Sequence, residues 1–284
     1  MQQYKTLYVS DMDGTLLNSN SVLSETTTAK LNELIQGGAL FTVATARTPA
    51  TVVSLMKDVK SNLPYILMAG CALWDNTSKR YDSARILSQE NVEKLIRIFE
   101  RNDNNPFIYY KNGNQIVVNH IKEFTAEERE FIEPRIKTPL KTLKTCDHLT
   151  IDSSLDGVML IFSMGKFNKL RAIADEIDKQ GIECTYNCYH DIFSEDDGII
   201  DIYVNGTTKA AAIKELAKHI GANRIVVFGD NLNDIPMMKA ADWSVAVSNA
   251  FDEVKEYADE IIDSNNNDAV VRWIEKDMEK TKNK

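Results

Sequence analysis

The fold class is decided by the stretch Tyr8-Val9-Ser10-Asp11-Met12-Asp13-Gly14-Thr15-Leu16-Leu17. A short apolar run that ends in a glycine turn predicts a buried β-strand, and open α/β sheets bind ligands beyond the carboxyl ends of their strands. We therefore expect Asp11 and Asp13 together at a strand tip. The stretch favours an α/β enzyme with its chemistry at this edge of the sheet.

Two neighbouring carboxylates also predict a cation, because their mutual repulsion must be offset if both are to stay ionised. A site made of oxygen ligands that meets a phosphate suits Mg²⁺ better than Zn²⁺ or a transition metal. The alternative of a calcium-binding helix-loop-helix fails on spacing. Such a loop starting at Asp11 needs an oxygen ligand, a glycine and a glutamate where the chain has Thr15, Leu16 and Val22.

A second acidic loop repeats this pattern near the other end of the chain. The apolar run at 225–228 leads into Gly229-Asp230-Asn231-Leu232-Asn233-Asp234, and Leu232 again breaks the calcium-loop spacing. We expect Asp230 to join Asp11 on one metal ion and Asp234 to orient a neighbouring side chain or water. Two such loops are hard to explain as turn composition alone.

Three residues between the loops could neutralise a phosphoryl group under attack by a carboxylate. Thr45 ends the second predicted strand, 40–45, so that its hydroxyl and the following amides can face Asp11. Lys209 lies in the first turn of a predicted helix, 208–220, where the helix dipole disfavours a purely structural lysine and favours an anion. Arg47 is a third candidate cation.

Composition limits the partners and the location. The chain has 284 residues, a net charge of -9 and no long basic run, which disfavours nucleic acid and anionic membrane surfaces as partners but still allows an anionic substrate. It contains no apolar run long enough to span a membrane and no export signal at its N-terminus, so we expect a cytoplasmic protein. The four cysteines contain no Cys-x-x-Cys pair and are expected to be free thiols, although Cys184 and Cys188 weakly suggest a soft-metal site.

The chain length is natural for two domains, and the pattern of elements suggests that one domain interrupts the other. The first strands and the helix between them form a βαβ unit, so the strands should be parallel and adjacent. From residue 85 to 190, helical patterns alternate with one-sided strands, which favours an α+β insertion with an antiparallel sheet. The doubly wound pattern then resumes with a strand at 199–204. We therefore divide the chain into a core domain at 1–84 and 191–284 and an inserted domain at 85–190.

These residues resemble, in chain order, the four motifs of the haloacid dehalogenase superfamily. The motifs are Asp11-Met12-Asp13-Gly14-Thr15, Thr45, Lys209 and Gly229–Asp234. The insertion resembles the type IIB cap of the Cof-like sugar-phosphate phosphatases, and the likeness spans nearly the whole chain. It implies a doubly wound, mostly parallel Rossmann-like core with an inserted α+β cap, and a Mg²⁺-dependent phosphatase acting on a small phosphorylated metabolite.

The resemblance also implies a role for each motif residue. Asp11 would be the nucleophile that forms an aspartyl-phosphate, and Asp13 would protonate the leaving alcohol and then activate water. Mg²⁺ would be held by Asp11, the backbone carbonyl of Asp13 and Asp230, with Asn231 nearby. The phosphate would be bound by Thr45, the amides of Met12 and Ala46, Lys209 and Asn233, with Arg47 as a further cation. Asp234 would orient Lys209 or a metal-bound water.

Departures from the family pattern and competing functions remain open at this point. Ala69-Gly70-Cys71 stands where the branch commonly has Asn-Gly-Ala, which puts substrate contacts there in doubt, whereas Ala46 and Ala210 replace common glycines at little cost.

Other functions are also compatible with these residues. A phosphomutase or phosphotransferase would use the same aspartyl-phosphate intermediate. A receiver domain phosphorylated on Asp11 would need neither Asp13 nor the insertion, and a non-catalytic sugar-phosphate sensor would be expected to lack Asp13 or Lys209. We expect a monomer or a weak homodimer.

Overall fold

The computed structural model describes residues 5–191 and 194–282, and the chain divides into two compact units. The core unit comprises Met1–Ser83 and Thr208–Lys284, and the inserted unit is Ala84–Thr207. In sequence, the inserted unit therefore lies between the two segments of the core unit. Its second boundary differs from the expected one, because the unit continues beyond residue 190 to Thr207.

The secondary structure alternates strands and helices over most of the chain. In chain order the strands are β1 (Thr6–Ser10), β2 (Leu40–Val43), β3 (Tyr65–Leu67), β4 (Ala72–Asp75), β5 (Arg80–Ala84), β6 (Phe107–Asn112), β7 (Gln115–Ile121), β8 (Lys141–Cys146), β9 (Gly157–Lys166), β10 (Cys184–Asp191), β11 (Ser194–Val204), β12 (Arg224–Gly229), β13 (Trp243–Val247) and β14 (Glu260–Ile262). The helices are α1 (Glu25–Gln36), α2 (Pro49–Leu55), α3 (Gln89–Arg101), α4 (Ala126–Ile132), α5 (Phe167–Gln180), α6 (Lys209–Ile220), α7 (Ile235–Met238), α8 (Asp252–Lys255) and α9 (Ala269–Lys282). Among the described residues, no helix is both long and apolar enough to cross a membrane.

The main sheet of the core unit is parallel and has the order β14-β13-β12-β1-β2. All five residues of β1 are buried, as expected for a central strand that has neighbours on both edges. Ser10 is in register with Val43 of β2 and with Phe228 of β12. The carboxyl ends of these three strands therefore meet at one edge of the sheet. The prediction that β1 and β2 are parallel and adjacent is confirmed.

Gly70 allows the chain after β3 to approach the start of α6. Its φ is +97°, and a Cβ atom at this position would collide with the backbone carbonyl of Thr208, the N-cap residue of α6. The Thr208 side chain accepts a hydrogen bond from the amide of Ala211, which satisfies a free amide of the first helical turn. This close approach positions the first turn of α6, and with it Lys209.

The inserted unit contains a six-stranded sheet with the order β10-β11-β9-β6-β7-β8. Its strands are antiparallel except for the parallel pair β7 and β8, so the predicted antiparallel sheet is wrong at this edge. One face of the sheet packs against α3 and α5 in a core that includes Ile108, Ile161 and Ile200. The opposite face bears Phe107, which stacks with His120 of the adjacent strand.

One strand assignment from the sequence was wrong. The run 199–204, which we expected in the core sheet, belongs to β11 and pairs with β9 and β10 of the inserted unit. An alternating apolar pattern indicates a half-buried strand but does not identify the sheet to which the strand belongs.

The cysteines are free thiols, as expected. Cys184 and Cys188 lie four residues apart on the extended strand β10, a separation of about 13 Å. Burial raises the pKa of both thiols, that of Cys184 to about 11. This environment gives no support to the suggested soft-metal site.

We expect Gly70→Ala to destabilise the core unit much more than Gly38→Ala. Both glycines have a φ of +97°, but a Cβ atom at Gly38 would meet nothing within 4 Å. Gly38→Ala should therefore cost only the backbone strain, about 1 kcal/mol, whereas Gly70→Ala adds a collision with backbone and should cost about 3 kcal/mol or more. Scanning calorimetry of the two variants measures the difference. Equal losses would show that Gly70 is required only for its backbone conformation.

Candidate active site

A buried lysine joins two carboxylates at the carboxyl edge of the core sheet. Lys209 Nζ lies 2.5 Å from Asp11 Oδ1, just beyond β1, and 2.7 Å from Asp234 Oδ1, in the loop after β12. The exposed fraction is 6% for Lys209, 6% for Asp11 and 0% for Asp234. Residues that are some two hundred positions apart in sequence thus form one buried ionic cluster.

Asp230 lies beside this cluster and is held by the turn that follows β1. The hydroxyl of Thr15 donates a hydrogen bond of 2.5 Å to Asp230 Oδ1. Gly14 has a φ of +79°, and a Cβ atom there would collide with the Asp230 carboxylate. Carboxylate oxygens of Asp11, Asp230 and Asp234 lie within 4.8 Å of one another. The predicted meeting of the two acidic loops therefore occurs, and it depends on the glycine.

Asp234 is fixed by the backbone of its own loop. Its Oδ2 atom accepts hydrogen bonds from the amides of Asp230, at 3.1 Å, and Asn231, at 3.2 Å. Its other oxygen is left for Lys209. The carboxylate can therefore hold the lysine in one position, which is the arrangement that the sequence analysis considered for Asp234.

The cluster holds more negative charge than Lys209 can neutralise. Burial raises the pKa of Asp11 to about 8 despite the opposing effect of Lys209, and burial raises the pKa of Asp230 to about 6 although its bond from Thr15 lowers it. Burial alone would lower the pKa of Lys209, but the charges of Asp11 and Asp234 outweigh it and the pKa is raised. Three carboxylates around one ammonium group are a donor set that fits a hard divalent cation.

Asp13 lies outside the buried cluster and pairs with Arg47. The guanidinium donates from Nε to Asp13 Oδ2 at 2.7 Å and from a terminal nitrogen to Oδ1 at 2.6 Å. This bond raises the pKa of Arg47, and the Asp13 side chain is 50% exposed. The two carboxylates of the first motif therefore have different surroundings, one buried on a lysine and one open to solvent on an arginine.

The remaining predicted residues surround this edge of the sheet. Thr45 is buried, and its hydroxyl oxygen accepts a bond of 3.2 Å from the amide of Arg47. Met12 is buried, whereas Ala46 and Asn233 are exposed. The side-chain oxygen of Asn231 accepts a bond from the amide of Leu232. These positions leave the predicted roles in phosphate and metal binding as predictions.

Two residues of the site received no role in the sequence analysis. Thr15 bonds to Asp230, and Asn249, in the loop after β13, donates a 2.8 Å hydrogen bond to the carbonyl of Gly14. The position of Thr15 directly after the glycine turn could have indicated that its hydroxyl lies near the acidic residues. Asn249 gave none, because it becomes a neighbour of Gly14 only when β13 is placed beside β12.

Comparison with known proteins agrees with this geometry. The family model for haloacid dehalogenase-like hydrolases matches residues 8–274. The chain belongs to this family. The predicted resemblance is thus confirmed, as is the expectation of a hydrolase.

Among relatives of the haloacid dehalogenase-like hydrolase family, two named phosphatases match almost the whole chain. A 5-amino-6-(5-phospho-D-ribitylamino)uracil phosphatase of Bacillus subtilis is 26% identical over 93% of this chain and 92% of its own. The pyridoxal phosphate phosphatase of Escherichia coli is 23% identical over 93% of this chain and 95% of its own. These relatives differ in substrate, so the likeness identifies the kind of enzyme better than its substrate.

Solved structures confirm the fold. A haloacid dehalogenase-like hydrolase from Bacteroides thetaiotaomicron has a TM-score of 0.74 at 24% identity, covering 95% of this chain and 98% of that one. A sugar phosphatase of haloacid dehalogenase subclass IIB has a TM-score of 0.72 at 19% identity, covering 96% and 99%. The predicted α/β class, with a parallel core sheet and an inserted α+β cap of this type, is therefore confirmed.

We expect Lys209→Met to destabilise the protein in metal-free buffer at neutral pH. The substitution leaves Asp11 and Asp234 buried without a cation, and breaking a buried pair in this way costs about 3–5 kcal/mol. Urea unfolding against wild type measures the loss. Lys214→Met, on an exposed position of the same helix, is the control and should change stability by less than about 0.5 kcal/mol. Similar values for the two variants would contradict the structural role of the Lys209 cluster.

Proposed function

We propose that the protein is a Mg²⁺-dependent phosphatase that hydrolyses a small phosphorylated metabolite, with sugar phosphates the favoured class, through an aspartyl-phosphate. The observation that supports this most strongly is the cluster in which Lys209 holds Asp11 and Asp234 beside Asp230. The named relatives are phosphatases of small phosphorylated compounds. A net charge of -9 is consistent with a small-molecule substrate rather than nucleic acid.

In this proposal Asp11 is the nucleophile. Its carboxylate oxygen attacks phosphorus, the bond from phosphorus to the ester oxygen breaks, and the leaving alcohol takes a proton from Asp13. Lys209 holds Asp11 in position and offsets negative charge on the phosphoryl oxygens, together with the hydroxyl of Thr45, the amides of Met12 and Ala46, and Asn233. Asp13 then accepts a proton from the water that hydrolyses the aspartyl-phosphate.

The bond between Arg47 and Asp13 suggests how Asp13 acquires the proton that it donates to the leaving alcohol. In the structure Arg47 donates to both carboxylate oxygens of Asp13 and so supplies its counter-charge. A phosphate group is a competing bidentate partner for the guanidinium. If Arg47 turns to the phosphate, Asp13 loses its counter-charge beside an anionic substrate and is able to take up the proton that the leaving group needs.

The proposed metal would be held by Asp11, Asp230 and the backbone carbonyl of Asp13, with Asn231 nearby. When bound, Mg²⁺ supplies positive charge to the phosphoryl oxygens and to the crowded carboxylates. The proximity of the carboxylate oxygens of Asp11, Asp230 and Asp234 supports this assignment, because three acids lie within 4.8 Å of one another around the single ammonium group of Lys209.

Asp11→Asn should abolish turnover, since an amide is a poor nucleophile, and Asp13→Ala should lower kcat by roughly 10²- to 10⁴-fold through loss of acid–base catalysis. Phosphate release from sugar phosphates, nucleotides and p-nitrophenyl phosphate, with Mg²⁺ and with chelator, measures both effects. Asp252→Asn, at an exposed site in α8, is the control and should keep wild-type activity.

Turnover by Asp11→Asn at the wild-type rate would refute the nucleophile assignment. Release that is unchanged by the chelator would refute the metal requirement. Loss of activity in the chelator followed by recovery with added Mg²⁺ is the expected result.

A further inference from the structure

Three consecutive residues with left-handed backbone follow β3 in the core unit. The φ angles are +51° at Met68, +55° at Ala69 and +97° at Gly70. Glycine adopts such angles without strain, but Met68 and Ala69 each have a Cβ atom that disfavours them. Two strained residues in succession persist only where the surrounding structure holds them, and such residues are concentrated at functional sites.

The turn at 68–70 is held by the segment that carries Thr45 and Arg47. The amide of Ala69 donates a hydrogen bond of 3.0 Å to the carbonyl of Thr45, and the amide of Met68 donates one of 3.0 Å to the carbonyl of Arg47. The amide of Thr45 in turn donates to the carbonyl of Ile66, in β3, at 3.0 Å. The left-handed turn is therefore bonded to the backbone on both sides of Ala46.

One of these bonds fixes the plane of the peptide between Thr45 and Ala46. In a trans peptide the C=O and N–H bonds point in opposite directions, so the bond to the Thr45 carbonyl directs the Ala46 N–H away from the turn. Ala46 is exposed, and no group within 5–191 and 194–282 accepts a hydrogen bond from its amide. This N–H is therefore oriented by the turn and left free for an anion.

The turn is anchored on both sides of Ala69. Met68 is completely buried, and Gly70 lies against the carbonyl of Thr208, which precedes Lys209. The Ala69 side chain itself is only partly buried. A substitution at this position can therefore change the backbone preference of the turn without leaving a cavity in the core.

We propose that Ala69 is a positioning residue for phosphate binding, because its left-handed backbone orients the Ala46 amide through the carbonyl of Thr45. The inference rests on the proposed function, in which this amide binds the phosphoryl group. It assigns a backbone role to a position whose side chain has no group that could hydrogen-bond to a substrate. An amide fixed in advance does not have to reorient when charge develops on the phosphoryl oxygens.

Substitutions with different left-handed preferences test the proposal. Ala69→Val opposes the left-handed backbone, whereas Ala69→Gly and Ala69→Asn are compatible with it. With Mg²⁺ present, Ala69→Val should lower kcat/KM for p-nitrophenyl phosphate and raise the inhibition constant of inorganic phosphate, each roughly 10- to 100-fold, the effect of one charge-assisted hydrogen bond. The glycine and asparagine variants should stay within about threefold of wild type, because both keep this bond.

Lys79→Val is the matched control. Lys79 is exposed, has a φ of +54° and lies between β4 and β5, so the same substitution strains the backbone at a residue that has no part in the site. It should lower the melting temperature but leave both kinetic constants unchanged. In ¹⁵N-labelled wild type, inorganic phosphate should shift the amide resonance of Ala46, and Ala69→Val should reduce that shift.

Loss of stability by Ala69→Val without a change in the phosphate inhibition constant would overturn the proposal. Equal kinetic losses in the valine, glycine and asparagine variants would also overturn it, as would an Ala46 resonance in wild type that does not respond to phosphate. Ala69→Thr, with a smaller β-branched side chain, replaces Ala69→Val if that variant does not fold. If wild type hydrolyses no phosphate ester but phosphate still shifts the Ala46 resonance in a way that Ala69→Val reduces, the proposed function fails and the positioning role stands.

Discussion

The contact of Lys209 with Asp11 and Asp234 is the interaction on which the arrangement of the site depends. Each of these charged groups is buried, and none would be stable there alone, because removing an ion from water costs several kcal/mol unless a partner offsets it. The three side chains come from the end of β1, the start of α6 and the loop after β12. The stability of the core unit and the geometry of the site are therefore set by the same contacts.

Two glycines make these contacts possible. At Gly14 the turn after β1 lies against the carboxylate of Asp230, and at Gly70 the chain lies against the carbonyl of Thr208, which precedes Lys209. Each approach is too close for a side chain, and each requires a positive φ. The sequence analysis regarded Ala69-Gly70-Cys71 as a departure from the family pattern that puts substrate contacts there in doubt. In the structure its glycine has a second role, since it positions the start of α6.

The elements whose evidence is local could be predicted, and those that depend on long-range pairing could not. The apolar run before Asp11 and the one before Gly229 each indicate a strand followed by acids, and parallel strands bring such ends together. The sequence around 199–204 does not show whether this run pairs in the sheet that contains β11 or in the sheet that contains β12, so the run was assigned to the wrong sheet. The bond from Arg47 to Asp13 was also missed. The position of Arg47 near Thr45 suggests that it binds phosphate, but it does not show that the guanidinium binds the Asp13 carboxylate when no phosphate is present.

Lys209 and Lys141 are both buried lysines, yet their surroundings shift their pKa values in opposite directions. Two carboxylates raise the pKa of Lys209, so it stays charged with or without a ligand and can act as a fixed part of the site. Burial and Arg135 lower the pKa of Lys141, which has no carboxylate to offset them among the residues described. A lysine of the first kind stabilises the fold that contains it. Lys141 instead lies over the Tyr109 ring, 5.2 Å from its centre, and this cation–π contact offsets part of the cost of burying its ammonium group.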